Sequence, residues 1–128
     1  RTAALGFCFG GGTVLELARS GADVLGVVSF HGNLDTPLPA SAETLKAKVL
    51  VLHGAADPHV PADHLRSFTA EMDGAKADWQ MILYGGAVHS FSDPGAGNDP
   101  SRGSAWDEKA ARRSFAATES FLRELFGE

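Results

Sequence analysis

A mostly parallel α/β sheet with flanking helices is the fold this sequence predicts. Three observations carry the prediction: short apolar runs with no polar alternation, segments with apolar residues at helical spacing between them, and glycine, proline or aspartate at the joints. Residues 2–7, with Ala3, Ala4 and Leu5 in succession, read as a central strand covered on both faces. After Gly10, Gly11 and Gly12, the residues Val14, Leu15, Leu17 and Ala18 recur at helical spacing up to Ser20 and Gly21, predicting a helix of about three turns. Residues 24–30 and 49–52 are β-branched runs that read as buried parallel strands, joined by a loop of proline and small residues over 33–42. Pro61 opens a helix over 61–72 with Leu65, Phe68, Thr69 and Met72 on one side, and Asp73 and Gly74 end it. Residues 77–84 make a fourth strand, broken by Gly85 and Gly86, and 106–126 form an amphipathic C-terminal helix. The order is β-α-β-β-α-β-α in one domain over 1–128. The stretch 85–104 is long for a connection inside a compact domain, which marks it as functional or mobile.

Composition narrows the function. The chain has 128 residues, with 16 acidic against 11 basic side chains and a formal charge of −5. With no lysine or arginine block, it carries no electrostatic footprint for nucleic acid or an anionic membrane. No apolar run approaches the roughly 18 residues of a spanning helix, no charged segment precedes a signal-like apolar stretch, and the cytoplasm is the default compartment. The single cysteine, Cys8, excludes an internal disulfide framework and a CxxC site.

That cysteine sits in the most informative stretch, Gly6-Phe7-Cys8-Phe9-Gly10-Gly11, between a predicted strand and a predicted helix. In a G-x-nucleophile-x-G elbow, glycines let the chain turn sharply, so the nucleophile stands above the sheet at a helix N-terminus. Unpaired N–H groups and the positive helix end favour a thiolate there, and the N–H of Phe9 is the candidate oxyanion donor. The same glycines make neither a P-loop, since no lysine follows, nor a dinucleotide fingerprint. An elbow requires an acid and then a histidine later in the chain, each just beyond a strand. Asp57, in His53-Gly54-Ala55-Ala56-Asp57-Pro58, and His89, in Gly86-Ala87-Val88-His89-Ser90-Phe91, satisfy both order and placement. Singly, each has an ordinary explanation: a buried thiol, a turn aspartate, a loop histidine. Together, all at the C-terminal ends of parallel strands, they point to a Cys-Asp-His triad.

With these motifs the chain resembles the C-terminal portion of the dienelactone hydrolase family of α/β-hydrolases. The matching stretches are Gly6 to Gly11, His53 to Pro61, Tyr84 to Phe91 and Gly97 to Pro100. The resemblance implies Cys8 as nucleophile, His89 as base and later acid, and Asp57 as its orienting carboxylate. It implies hydrolysis of an ester or lactone through a thiol-acyl enzyme, with no metal and no organic cofactor. It also implies that the earlier strands, the loop with the second oxyanion donor and a glutamate that handles the cysteine proton lie outside this stretch. The arginine that family members place soon after the histidine is absent, since Ser90, Phe91, Ser92, Asp93 and Pro94 follow His89. Phe9, Phe91 and Trp106 are candidates to line an apolar acyl pocket.

With nothing before Arg1, the run from Thr2 to Phe7 would form an open apolar edge, inviting a homodimer or pairing with an N-terminal segment. Two rival readings are a non-catalytic binding or oligomerisation module, and a metal site from His53, Asp57, His59 and His64. Arg102, Arg112 and Arg113 are candidates for an anionic substrate, though they read more simply as solvated helix-surface groups. Acyl transfer to an acceptor other than water fits the same residues.

Overall fold

The computed structural model describes all 128 residues. Four strands, β1 (Ala3–Phe7), β2 (Gly26–Phe30), β3 (Lys48–Gly54) and β4 (Trp79–Tyr84), form one sheet in chain order, every pair parallel. Three helices, α1 (Phe9–Arg19), α2 (Ala62–Gly74) and α3 (Glu108–Phe126), complete the predicted order.

Chain order and handedness together decide the layers. Crossovers between parallel strands are right-handed, so a sheet that grows steadily in one direction stacks its crossovers on one face. Accordingly Val14, Leu15 and Ala18 of α1 and Phe68 and Met72 of α2 share a core with Val27, Val49 and Val51. The alternate residues Val28, Phe30, Leu50 and Leu52 turn to the other face, where Ala110 and Phe121 of α3 cover them. Both faces are needed. Strands buried on two sides have no polar position to spare, hence the unbroken apolar runs, and each fully buried Val, Leu or Phe contributes about 1.5–3 kcal/mol. Arg19 joins α1 to α2 through a forked pair with Glu71, Nε to Oε2 at 2.7 Å and Nη2 to Oε1 at 2.8 Å, and it donates to the Leu34 carbonyl.

Several boundaries differ from the sequence reading. Among the four strands here β1 is the open edge that the sequence also allowed, not the covered central strand its apolar run suggested: only β2 pairs with it, and Leu5 and Phe7 stay 41% and 45% exposed. Helix α1 starts at Phe9, ahead of the glycines, because the turn is already complete at Cys8. Strand β3 runs on to Gly54, and α3 starts at Glu108, where the Asp107 side chain caps the Ala110 N–H at 3.1 Å. The long stretch after β4 holds itself together. His89 N–H donates to Gly103 O, Ala105 N–H to His89 O, and Asp107 N–H to Phe91 O. Asp93 and Asp99 cap two short 3₁₀ turns, Pro94–Ala96 and Pro100–Arg102.

Candidate active site

The elbow is built from one close approach. Gly6 packs so tightly on the first turn of α1 that a Cβ there would lie 1.9 Å from the Gly10 carbonyl oxygen. That proximity folds the chain back at Cys8, which takes φ 55° and ψ −119° as the N-cap of α1, a conformation costing of order 1–3 kcal/mol for a residue with a side chain. The Cys8 N–H donates to Phe30 O at 3.0 Å, holding the turn against β2. Phe9 N–H, the first of α1, has no backbone acceptor, and the first turn carries no acidic side chain to offset the positive helix end.

Asp57 and His89 meet. Their loops follow β3 and β4, adjacent strands, and His89 Nδ1 lies 3.1 Å from Asp57 Oδ2. A carboxylate can only accept, so Nδ1 carries the proton and Nε2 keeps a free lone pair. The other oxygen of Asp57 accepts the His59 N–H at 2.8 Å. Burial alone would raise the Asp57 carboxyl, but the hydrogen bonds from His89 and His59 outweigh it and hold it below its ordinary value. Cys8, Phe9, Asn33, His59 and His89 line one cavity of about 260 Å³.

Within that cavity the sulfur is not bonded to His89. It lies 3.1 Å from Ser90 Oγ and 3.4 Å from Nδ1 of His31, a residue the sequence reading passed over. His31 directly follows β2 in Phe30-His31-Gly32, which repeats the Leu52-His53-Gly54 stretch at the end of β3; that repeat is the signal that could have found it. The ring is buried, and its Nε2 lies 2.7 Å from Ser92 Oγ.

Two proposed pocket residues stand elsewhere. Phe91 is fully buried and packs edge-on beneath the His31 ring, centroids 4.9 Å apart, so it supports the site from below and does not line it. Trp106 is absent from the cavity wall, and its backbone N–H donates to Gly97 O at 2.7 Å within the loop. Phe9 does reach the cavity and is 84% exposed. The proposed ligands His53, Asp57, His59 and His64 form no group able to hold a metal ion. His53 is buried beneath the loop, its Nδ1 without a partner.

Burial, helped by the nearby positive potential of His89, lowers the His31 pKa from 6.5 to about 4. The unfolded chain takes up this proton as the pH falls through about 6.5, whereas the fold resists until about 4. His31 therefore contributes stability that is complete above pH 6.5 and is lost toward pH 4, roughly 3 kcal/mol in all. His53, lowered mainly by burial, acts in the same direction. Urea unfolding at neutral pH and near pH 4.5 is expected to show this loss, with much of it removed in His31→Phe; an unchanged pH dependence in that variant would contradict it.

Comparisons with known proteins identify the family. The dienelactone hydrolase family matches residues 1–126. The uncharacterized protein K02A2.1 of Caenorhabditis elegans is 39% identical over 126 residues, 96% of this chain and 79% of that protein. The structure titled m3DLH superposes with a TM-score of 0.91 at 42% identity, covering 98% of this chain and 52% of its own. A dienelactone hydrolase-like promiscuous phosphotriesterase from metagenomic libraries, P91, gives 0.86 at 43% identity, covering 96% and 52%. The chain thus spans about half the length of these solved relatives. On the match across nearly all its residues, the chain belongs to the dienelactone hydrolase family, with an α/β-hydrolase sheet and helices.

Proposed function

We propose that this chain hydrolyses carboxylic ester or lactone bonds through Cys8, His89 and Asp57. The observation that carries the reading is the bonded Asp57–His89 pair opening on the same cavity as a strained cysteine at a helix N-terminus. As the Cys8 sulfur attacks the carbonyl carbon, its proton passes to His89 Nε2 and the carbonyl π electrons move to oxygen. Phe9 N–H donates to that oxyanion. Collapse expels the alkoxide, which takes the proton from His89, and leaves a thioester on Cys8. His89 then deprotonates a water that attacks the thioester, and the departing sulfur recovers a proton. Asp57 holds the tautomer and stabilises the transient imidazolium. Hydrogen bonds of this kind are often open before substrate binds, and one rotation about the Cys8 Cα–Cβ bond moves the sulfur within the shared cavity.

The lining holds no lysine or arginine to pair with a substrate carboxylate, which favours uncharged esters and lactones. Turnover of p-nitrophenyl acetate, lost in Cys8→Ala, together with an acyl adduct on the intact protein, is the expected result. No turnover from folded protein with an alkylatable Cys8 would instead favour a non-catalytic binding module. At the exposed β1 edge, the unpaired strand with Leu5 and Phe7 supports association with a second copy or with a further segment of the fold. Sedimentation is expected to show self-association of the isolated chain; a stable, folded monomer would retire the second copy.

A further inference from the structure

Two cavities meet at Phe9 and Asn33. The one at Cys8 also has His59 and His89 in its wall. The other, of about 280 Å³, runs along α1 away from the elbow. Phe9, Gly12, Thr13 and Glu16 form its floor, and that spacing along the chain puts all four on one face of the helix. Asn33, Asp35 and Pro37, from the loop after β2, make the facing wall. Gly12 keeps the trough open: a Cβ there would already touch Asn33, 3.5 Å from its carbonyl oxygen and 3.8 Å from its Cβ.

Charge is separated along this path. No lysine or arginine lines either cavity. The histidines stand at the Cys8 end, where the proposed mechanism makes His89 a cation and an oxyanion forms beside Phe9 N–H. The carboxylates of Glu16 and Asp35 stand at the far end. Glu16 Oε1 pairs with Arg19, but that guanidinium is 3% exposed and also held by Glu71, whereas the Glu16 side chain is 45% exposed. Asp35 is exposed and enters no ion pair. One sealed guanidinium therefore faces three carboxylates, and the far end of the trough is negative. The dipole of α1 acts in the same sense, positive toward Cys8 and negative toward Arg19. Thr13 gives its O–H to Phe9 O at 3.0 Å, so the floor between offers no free donor to an anion. An acidic pair alone would be a solvated helix face; here it closes a trough whose other end holds the proposed nucleophile.

We infer that the two cavities are one substrate cleft, in which Glu16 and Asp35 select esters and lactones bearing an ammonium group remote from the scissile bond. The inference rests on the hydrolase reading and adds a distant cation to the uncharged ester or lactone at Cys8. By the rise of the helix from Cys8 to Glu16, that cation lies about 12 Å from the reacting carbonyl. The exposed Phe9 ring gives the linking carbons an apolar face.

Two p-nitrophenyl octanoates test the cleft, one ending in trimethylammonium and one in a carboxylate. The ammonium ester is expected to exceed the carboxylate ester about tenfold in kcat/KM, through KM, since the far end is bound equally in ground and transition states. Glu16→Gln/Asp35→Asn should bring the ratio to within about twofold of unity, and Asp35→Lys should lower it further than Asp35→Asn does. If loss of the Arg19 pair unfolds the double variant, Asp35→Asn alone, at an exposed loop position, should cut the ratio about threefold. A wild-type ratio near unity overturns the inference. So does a ratio that survives these substitutions, which would trace it to the overall charge of −5. Cys8 is the only cysteine, so its protection from iodoacetamide reads the cleft without turnover. Octyltrimethylammonium should protect it at about tenfold lower concentration than octanoate. That preference with no ester hydrolysed retires the hydrolase reading and leaves the cleft; hydrolysis of p-nitrophenyl acetate with no preference in either assay overturns the cleft and leaves the hydrolase reading.

Discussion

Asp57→Asn is expected to slow ester turnover by about 10⁴-fold while leaving the protein folded. The reason lies in the number of acceptors. Asp57 uses one oxygen for the His59 N–H at 2.8 Å and the other for His89 Nδ1 at 3.1 Å. Asparagine has a single acceptor oxygen. The backbone N–H of His59 cannot move away, so the oxygen stays there and the amide NH₂ faces His89. The imidazole must then present a lone pair at Nδ1 and carry its proton on Nε2, the nitrogen meant to take the proton of Cys8. Such a ring is a base pointing the wrong way. The loss of about 10⁴ corresponds to roughly 5.4 kcal/mol in the barrier and should appear in kcat/KM, with unfolding midpoints little changed. A loss below tenfold in a folded variant would mean that the Asp57–His89 pair is structural.

The second large effect is on folding. Gly6→Ala is expected to cost more than about 4 kcal/mol, or to prevent folding, since its Cβ would meet Gly10 O at 1.9 Å, Gly10 C at 2.3 Å and Gly11 N at 2.8 Å. All three are backbone atoms in the first turn of α1, and none can withdraw without unwinding the turn that aims Cys8. Gly10 supplies the control: a Cβ there meets nothing within 4 Å, so Gly10→Ala should hold stability or raise it by up to about 1 kcal/mol. Urea midpoints of the two variants measure the contrast. A Gly6→Ala protein within about 1 kcal/mol of wild type would show that the elbow tolerates a looser turn.

The elements were legible because β2 and β3 are buried on both faces and each helix on one, which leaves plain apolar periods. The elbow, Asp57 and His89 were legible because their proposed roles call for short, local patterns: glycines around a nucleophile, then an acid and a base in loops directly after strands. Phe91 was misplaced by the same locality. Two residues from His89 along the chain, it nevertheless turns down into the core under His31 and Tyr84. His31 carries only the short His-Gly ending that also closes β3, and it reaches the elbow only because β2 lies next to β1 and so brings the end of one strand beside the turn of the other.

Sequence alone therefore suffices for the fold class, the family resemblance and the identity and order of the three proposed catalytic side chains, since these depend on period and spacing along the chain. Which face each helix covers and where the sulfur rests were decided by tertiary structure. They follow from strand order and from side chains that meet across 23 and 82 residues of chain, His31 and Ser90 at Cys8, a convergence that no local pattern records.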